Sequence, residues 1–108
     1  MLNKPGEFTR RVWELAIRIP KGRVTTYGIL VGMAGGHPMM ARMITTILSK
    51  APNQDKIPYH RIVYANGKVW LDSKYKKERL RLYKKEGIKL DKFNKIIDFN
   101  KKLFTFAS

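Results

Sequence analysis

Two short helical stripes meet at a glycine pair, and that break constrains this chain more than any other feature. Tyr27, Leu30, Val31 and Ala34 fall at i, i+3, i+4 and i+7, the spacing of one helix face. Gly35-Gly36 stops that helix and His37-Pro38 restarts the chain. Met40, Met43, Ile44 and Ile47 then repeat the same stripe, and Ala51-Pro52 lies just beyond it. Two short amphipathic helices around a tight glycine turn predict a helix-turn-helix. Thr25 or Thr26 can cap the first of them through its hydroxyl.

The flanks extend this pattern. Phe8, Val12, Leu15, Ala16 and Ile19 predict an amphipathic helix over 8–19, ended by the turn Pro20-Lys21-Gly22. Residues 57–64 and 67–71 are rich in Ile, Val, Tyr and Trp, with Ala65-Asn66-Gly67 between them, which predicts a β-hairpin. Residues 73–86 read as a further helix with Lys and Arg outside and Tyr75, Leu82 and Tyr83 packing inward; Gly87 is a C-cap candidate. The tail, 88–108, alternates apolar and basic residues and is expected to be irregular or weakly extended, packed by its aromatics. The whole is a mainly α fold with a small β-hairpin, in one domain spanning 1–108.

The opposite face of the second stripe carries Arg42, Thr45, Thr46 and Ser49. Arg42 is the only charged residue between Pro38 and Ser49, in a chain that is 29% charged. Short hydroxyl side chains around one arginine suit close approach to a DNA groove; the competing reading is a face buried against another part of the protein. The net charge of +15, from 23 Lys+Arg against 8 Asp+Glu, points to a polyanionic partner, most often nucleic acid. The bland alternative is lysine used as a generic solubiliser. No apolar run is long enough to span a bilayer, and Met1 to Arg10 lacks the apolar core of a signal peptide, so a cytoplasmic protein is expected. There is no cysteine, which excludes disulfides and thiolate metal sites. His60 and His37 have no metal-site spacing. No cofactor is expected.

Five fragments in order carry a resemblance. They are Ile19-Pro20-Lys21-Gly22-Arg23-Val24-Thr25-Thr26-Tyr27-Gly28, Ala34-Gly35-Gly36-His37-Pro38, Ala41-Arg42, Pro58-Tyr59-His60-Arg61-Ile62-Val63 and Glu86-Gly87. From about residue 6 to about 90 the chain resembles the C-terminal, winged helix-turn-helix-like domain of the O6-alkylguanine-DNA alkyltransferases. The likeness is greater to the alkyltransferase-like proteins, which lack the acceptor cysteine. Here Tyr59 stands at the cysteine position of Pro-Cys-His-Arg, and a phenol, with a pKa near ~10, cannot replace a thiolate.

The resemblance implies a protein that binds O6-alkylguanine in duplex DNA without repairing it and flags the lesion for nucleotide excision repair proteins. It implies a monomer, cytoplasmic and nucleoid-associated when bound. It assigns DNA contact to Thr26, Tyr27, Met39, Arg42, Thr45 and Thr46, with the helix in the minor groove, Tyr27 favouring nucleotide rotation and Arg42 filling the vacated space. It assigns the lesion pocket to Tyr59, Arg61, Val69, Trp70, Leu71, Asp72 and Ser73, with Arg61 mainly structural. Tyr59 would stack on the base or shape the pocket wall; plain core packing is the alternative for it and for Trp70. His60 and Glu86 match the enzymes' cysteine-activating pair, here a buried structural remnant that a water could join. Three departures stand out. Thr45 and Thr46 replace two small residues, often glycines. Lys50 or Ala51 stands where the family often has an asparagine tying the turn to the active-site segment, for which Asn53 could substitute. Asp72 replaces a residue that is commonly tyrosine. A helix-turn-helix protein without lesion preference is the main competitor. An enzyme using Tyr59 or His60 is a weaker one, since strand neighbours point to opposite faces.

Overall fold

The computed structural model describes residues 6–107. Helix α1 spans Glu7–Ile17 and buries Val12, Leu15 and Ala16, one stripe of its surface. A short strand, β1 (Thr25–Thr26), leads directly into α2 (Tyr27–Met33). Of the two candidate caps it is Thr26 that serves: its hydroxyl accepts from the Ile29 backbone N–H at 3.0 Å. Helix α2 ends as its glycines require. Gly35 takes a left-handed φ of +86°, and the Gly36 N–H reaches back to the Val31 carbonyl at 2.9 Å. Gly36 also lies against Phe8, where an added Cβ would come within 2.5 Å of the ring.

The second helix of the pair is composite. Pro38–Met43 forms a 3₁₀ segment and only Ile44–Ser49 is α-helical (α3). The apolar stripe expected over Met40, Met43, Ile44 and Ile47 is therefore corrected. Three residues per turn rotate the methionines off the inward line, leaving Met43 exposed and Met40 half-buried, while Ile44, Ile47 and Leu48 are buried. Helix α1 packs on α2 and α3, and the Trp13 indole N–H donates to the Ile47 carbonyl at 2.7 Å.

The expected hairpin is a turn without paired arms. Gly67 (φ +84°) and Tyr64 close it through Gly67 N–H to Tyr64 O and Tyr64 N–H to Lys68 O, at 2.9 and 3.0 Å. Beyond it, β2 (Ile62–Val63) pairs in parallel with β1, Thr25 opposite Ile62 and Thr26 opposite Val63. Residues 67–69 instead meet the tail: Val69 N–H donates to Asn94 O and Ile96 N–H to Gly67 O. β-prone composition suggests a strand but not its partner, and here the partners lie far away in the sequence.

Helix α4 is shorter than expected, Lys76–Lys85, and is closed by Gly87 (φ +73°) with Ile88 N–H bonded to Tyr83 O at 2.9 Å. Tyr83 is buried, Leu82 half-buried and Tyr75 exposed, so Tyr75 does not pack inward as expected. The tail is more ordered than irregular. Residues 89–97 fold into a small antiparallel turn, α5 covers Phe99–Lys102, and Leu103 bridges in parallel to Val24. Phe106 is buried in the first of two cores, formed around α1, α2, α3, Ile57 and Ile62. The second core joins Val24, Val63, Val69, Tyr83, Ile88 and Ile96. Among the described residues no helix is long and apolar enough to cross a membrane.

Candidate nucleic-acid interface

The outer face of the composite helix is open. Met39, Arg42, Thr45, Thr46 and Ser49 are all exposed, which removes the reading of a face buried within the chain. Ser49 Oγ donates to the Thr46 carbonyl at 2.6 Å. Arg42 has no ion-pair partner among the described residues. Thr26, assigned to DNA contact, is buried and spent on the cap of α2.

Beside this face lies a hollow. One cavity of about 240 Å³ is lined by Tyr27, Thr45, Leu48, Tyr59, Ile62, Tyr64, Trp70 and Arg79. Another, of about 430 Å³, shares Thr45, Tyr59, Trp70 and Arg79 with it and reaches His60, Tyr75 and Leu82. Four of the eight residues around the smaller cavity are aromatic: Tyr27, Tyr59, Tyr64 and Trp70. Tyr27 and Tyr64 stand with ring centroids 5.6 Å apart. Trp70 is 40% exposed and carries the Arg79 guanidinium 5.0 Å above its ring, a cation–π contact. Trp70 is therefore a wall residue rather than core.

Tyr59 is half-buried, with its ring against the first core and its edge on both cavities. Its hydroxyl donates towards Gln54 Oε1 at 2.6 Å and the Leu48 carbonyl at 3.1 Å. The Gln54 amide in turn donates to the Leu48 and Ala51 carbonyls, both at 2.8 Å. Gln54 thus ties the turn after α3 to the Tyr59 segment, the task for which Asn53 was the candidate substitute. Burial pushes the Tyr59 phenol above its ordinary value of 10, which the Gln54 contact only partly opposes.

Several expected pocket residues stand elsewhere. Arg61 faces away from the cavities: its Nε and Nη2 donate to Glu86 at 3.0 and 2.8 Å, and its Nη1 to the Ile19 carbonyl at 2.9 Å. Val69 is buried in the second core and Leu71 packs against it. Asp72 Oδ1 accepts from the Tyr75 N–H at 2.9 Å, and Ser73 is exposed. None of Arg61, Val69, Leu71, Asp72 and Ser73 lines either cavity. Pairing of the 67–69 segment with the tail turns Val69 inward, and the turn into α4 occupies Asp72. Arg79 went unrecognised in the sequence, although it stands at i+4 from Tyr75 and four before Tyr83, a cation on an otherwise apolar stripe.

His60 and Glu86 form a separate buried cluster with Arg61. His60 Nε2 is in direct hydrogen-bonding contact with Glu86 Oε2 at 2.6 Å, and the Gly22 N–H donates to Glu86 Oε1 at 3.0 Å. Desolvation alone would raise the Glu86 pKa, but the bonds from Arg61, Gly22 and His60 outweigh it and hold the carboxyl at about 2. Burial pulls His60 below its ordinary value despite the carboxylate beside it, so the ring is neutral and donates to Glu86. Tyr83 O–H closes the cluster by donating to the His60 carbonyl at 2.6 Å.

Comparison with known proteins fits this geometry. Residues 7–88 match the family described as 6-O-methylguanine DNA methyltransferase, DNA binding domain. A protein named DNA base-flipping protein from Vibrio parahaemolyticus is 31% identical over 90 residues, 83% of this chain and 89% of its own length. Its namesake in Escherichia coli K12 is 37% identical over 70 residues, 65% of this chain; the match spans 54%, about half, of that relative. In solved structures, Schizosaccharomyces pombe Atl1 in complex with damaged DNA containing O6-carboxymethylguanine superposes with a TM-score of 0.72 at 20% identity, covering 94% of this chain and 98% of the other. That likeness is one of fold, mostly helical with a two-stranded sheet. With the family matched across most of its length, this chain belongs to the 6-O-methylguanine DNA methyltransferase DNA-binding-domain family.

Proposed function

We propose that this protein recognises O6-alkylguanine in duplex DNA, turns the damaged nucleotide out of the stack and holds it without chemistry. The observation that carries this reading is an open hollow walled by Tyr27, Tyr59, Tyr64 and Trp70, one helical turn along from Arg42, which is exposed and without an ion-pair partner among the described residues; by the resemblance, Tyr59 stands at the family's cysteine position. Extrahelical rotation costs a few kcal/mol, least for a damaged pair. Stacking of the base on an aromatic wall returns about 1–3 kcal/mol, and the Arg42 guanidinium fills the vacated space. The hollow's two parts span roughly the lower end of ordinary ligand-pocket volumes, about 300–1,000 Å³.

The absence of transfer follows from Tyr59. Its phenol is held protonated at neutral pH and is directed at Gln54 and Leu48, so it is a poor nucleophile. The base-flipping name of the two relatives supports the same reading. The rest of the proposal follows from the resemblance. The hydroxyl face of α3 docks in the minor groove, the monomer acts in the cytoplasm on the nucleoid, and the complex flags the lesion for nucleotide excision repair proteins. Thr45 and Thr46 project from that face, so the approach is shallower than glycines would permit.

The test is equilibrium binding to a short duplex with one O6-methylguanine and to its undamaged twin. The expected result is tighter binding to the lesion, loss of that preference in Arg42→Ala, and an unchanged protein mass after incubation. Equal binding to both duplexes would identify a general helix-turn-helix DNA-binding protein. A mass increase of one methyl group would overturn the non-enzymatic reading.

A further inference from the structure

Lys68 and Lys95 face each other across an antiparallel bridge between the 67–69 segment and the tail. The flanking bonds, Val69 N–H to Asn94 O and Ile96 N–H to Gly67 O, make them a non-hydrogen-bonded pair, the register in which opposed side chains stand closest. Like charges in such a position destabilise the pairing. Neither lysine forms an ion pair among the described residues. The nearest acid in the turn, Asp91, spends its Oδ1 on the backbone N–H groups of Phe93 and Lys95, at 2.8 and 3.0 Å. The Asp91 carboxylate feels the Lys95 charge but forms no ion pair with it, so the turn holds Lys95 against Lys68 and offsets its charge only in part.

The pair also has a fixed relation to the hollow. Val69 is buried while Lys68 and Trp70 are exposed, so Lys68 and Trp70 share one face of the segment, about 7 Å apart along it. Trp70 is a wall of both cavities. The family match ends at residue 88, so Lys95 comes from chain beyond it.

We propose that Lys68 and Lys95 form a phosphate-binding clamp that grips the DNA backbone beside the Trp70 wall, a second point of contact apart from the helix carrying Arg42. The clamp adds affinity for any duplex and leaves lesion choice to the aromatic hollow. It rests on the DNA-binding reading above but not on lesion preference. A polyanion lowers the repulsion between the two ammonium groups, so the strain in the free protein favours binding.

The experiment measures the slope of log K against log salt for the undamaged and the O6-methylguanine duplex. Each neutralised phosphate contributes about 0.9 to that slope, so Lys68→Gln/Lys95→Gln should lower it by about 1–2 on both duplexes. The ratio of the two affinities should not change. Lys21→Gln/Lys85→Gln removes the same charge from the cleft beside Glu86 and should change the slope less. An unchanged slope in the clamp variant, or an equal fall in both double variants, would overturn the proposal. Lys68→Arg/Lys95→Arg keeps the charge and should keep the slope; its loss would also count against the clamp. Thermal unfolding at low salt should find the glutamine variant at least as stable as the parent, which separates lost contact from lost fold. Equal binding of the parent to both duplexes would defeat the lesion-sensing proposal, while the slope on undamaged DNA would still decide the clamp.

Discussion

The Glu86 side chain is 5% exposed and carries the only carboxylate within reach of the Arg61 guanidinium among the described residues. Glu86→Ala removes the acceptor for two Arg61 bonds, the Gly22 N–H and the His60 ring. Breaking a buried pair from one side costs about 3–5 kcal/mol, because the abandoned charge stays buried. With a urea slope of about 1–3 kcal/mol per molar, the unfolding midpoint should fall by roughly 1–5 M. The acid dependence gives an independent figure. The folded-state pKa of about 2 lies below the ordinary 4.5. At about 1.4 kcal/mol per pH unit, that gap is worth about 3 kcal/mol. Because the folded value is depressed, this stability is fully present above about pH 4.5 and is lost as pH falls towards 2. His60, lowered by burial, acts in the same direction, losing stability as pH falls below its ordinary value of 6.5. Urea titrations from pH 7 to pH 2 should therefore show a steeper acid loss in the parent than in Glu86→Gln. Parallel curves, or a loss under 1 kcal/mol in Glu86→Ala at pH 7, would refute the account of a charge cluster that ties the end of α4 to Gly22, His60 and Arg61.

The remaining expectations concern the hollow and the glycine turn. Tyr59→Phe gives up the hydroxyl bonds to Gln54 and Leu48 at a cost of about 1 kcal/mol but keeps the ring, so lesion preference should survive. Tyr59→Ala should forfeit about 1–3 kcal/mol of stacking, roughly a 5- to 150-fold loss in lesion affinity; full retention in a binding titration would show that the ring does not touch the base. Gly36→Ala places a Cβ within 2.5 Å of Phe8 and 3.1 Å of Val31. It should cost about 1–3 kcal/mol in thermal unfolding, and an unchanged midpoint would mean that α1 and α2 repack freely.

Much of this protein was readable from local chemistry. Helix faces follow from apolar spacing, so α1 and α2 appear with nearly their observed bounds. The Thr25-Thr26 pair announces a cap, and Gly35 and Gly87 stand at helix ends because only glycine accepts those left-handed φ values without penalty. The exposed hydroxyl face around Arg42 was legible because an almost uncharged surface is unusual in so basic a chain. The family fragments placed Tyr59 at the hollow and paired His60 with Glu86. Long-range partnership was not legible. The Ile, Val, Tyr and Trp content of 57–64 and 67–71 could not show that Ile62 and Val63 pair with Thr25 and Thr26, nor that residues 67–69 pair with the tail. Gln54 and Arg79 enter the site only because distant elements bring Tyr59 and Trp70 to them, and Arg61 leaves it because Glu86 and the Ile19 carbonyl lie on the other side. Sterics and solvent act on neighbours along the chain, so they write secondary structure into the sequence directly. The walls of a cavity are chosen by which surfaces meet, and that is settled only when the whole core closes.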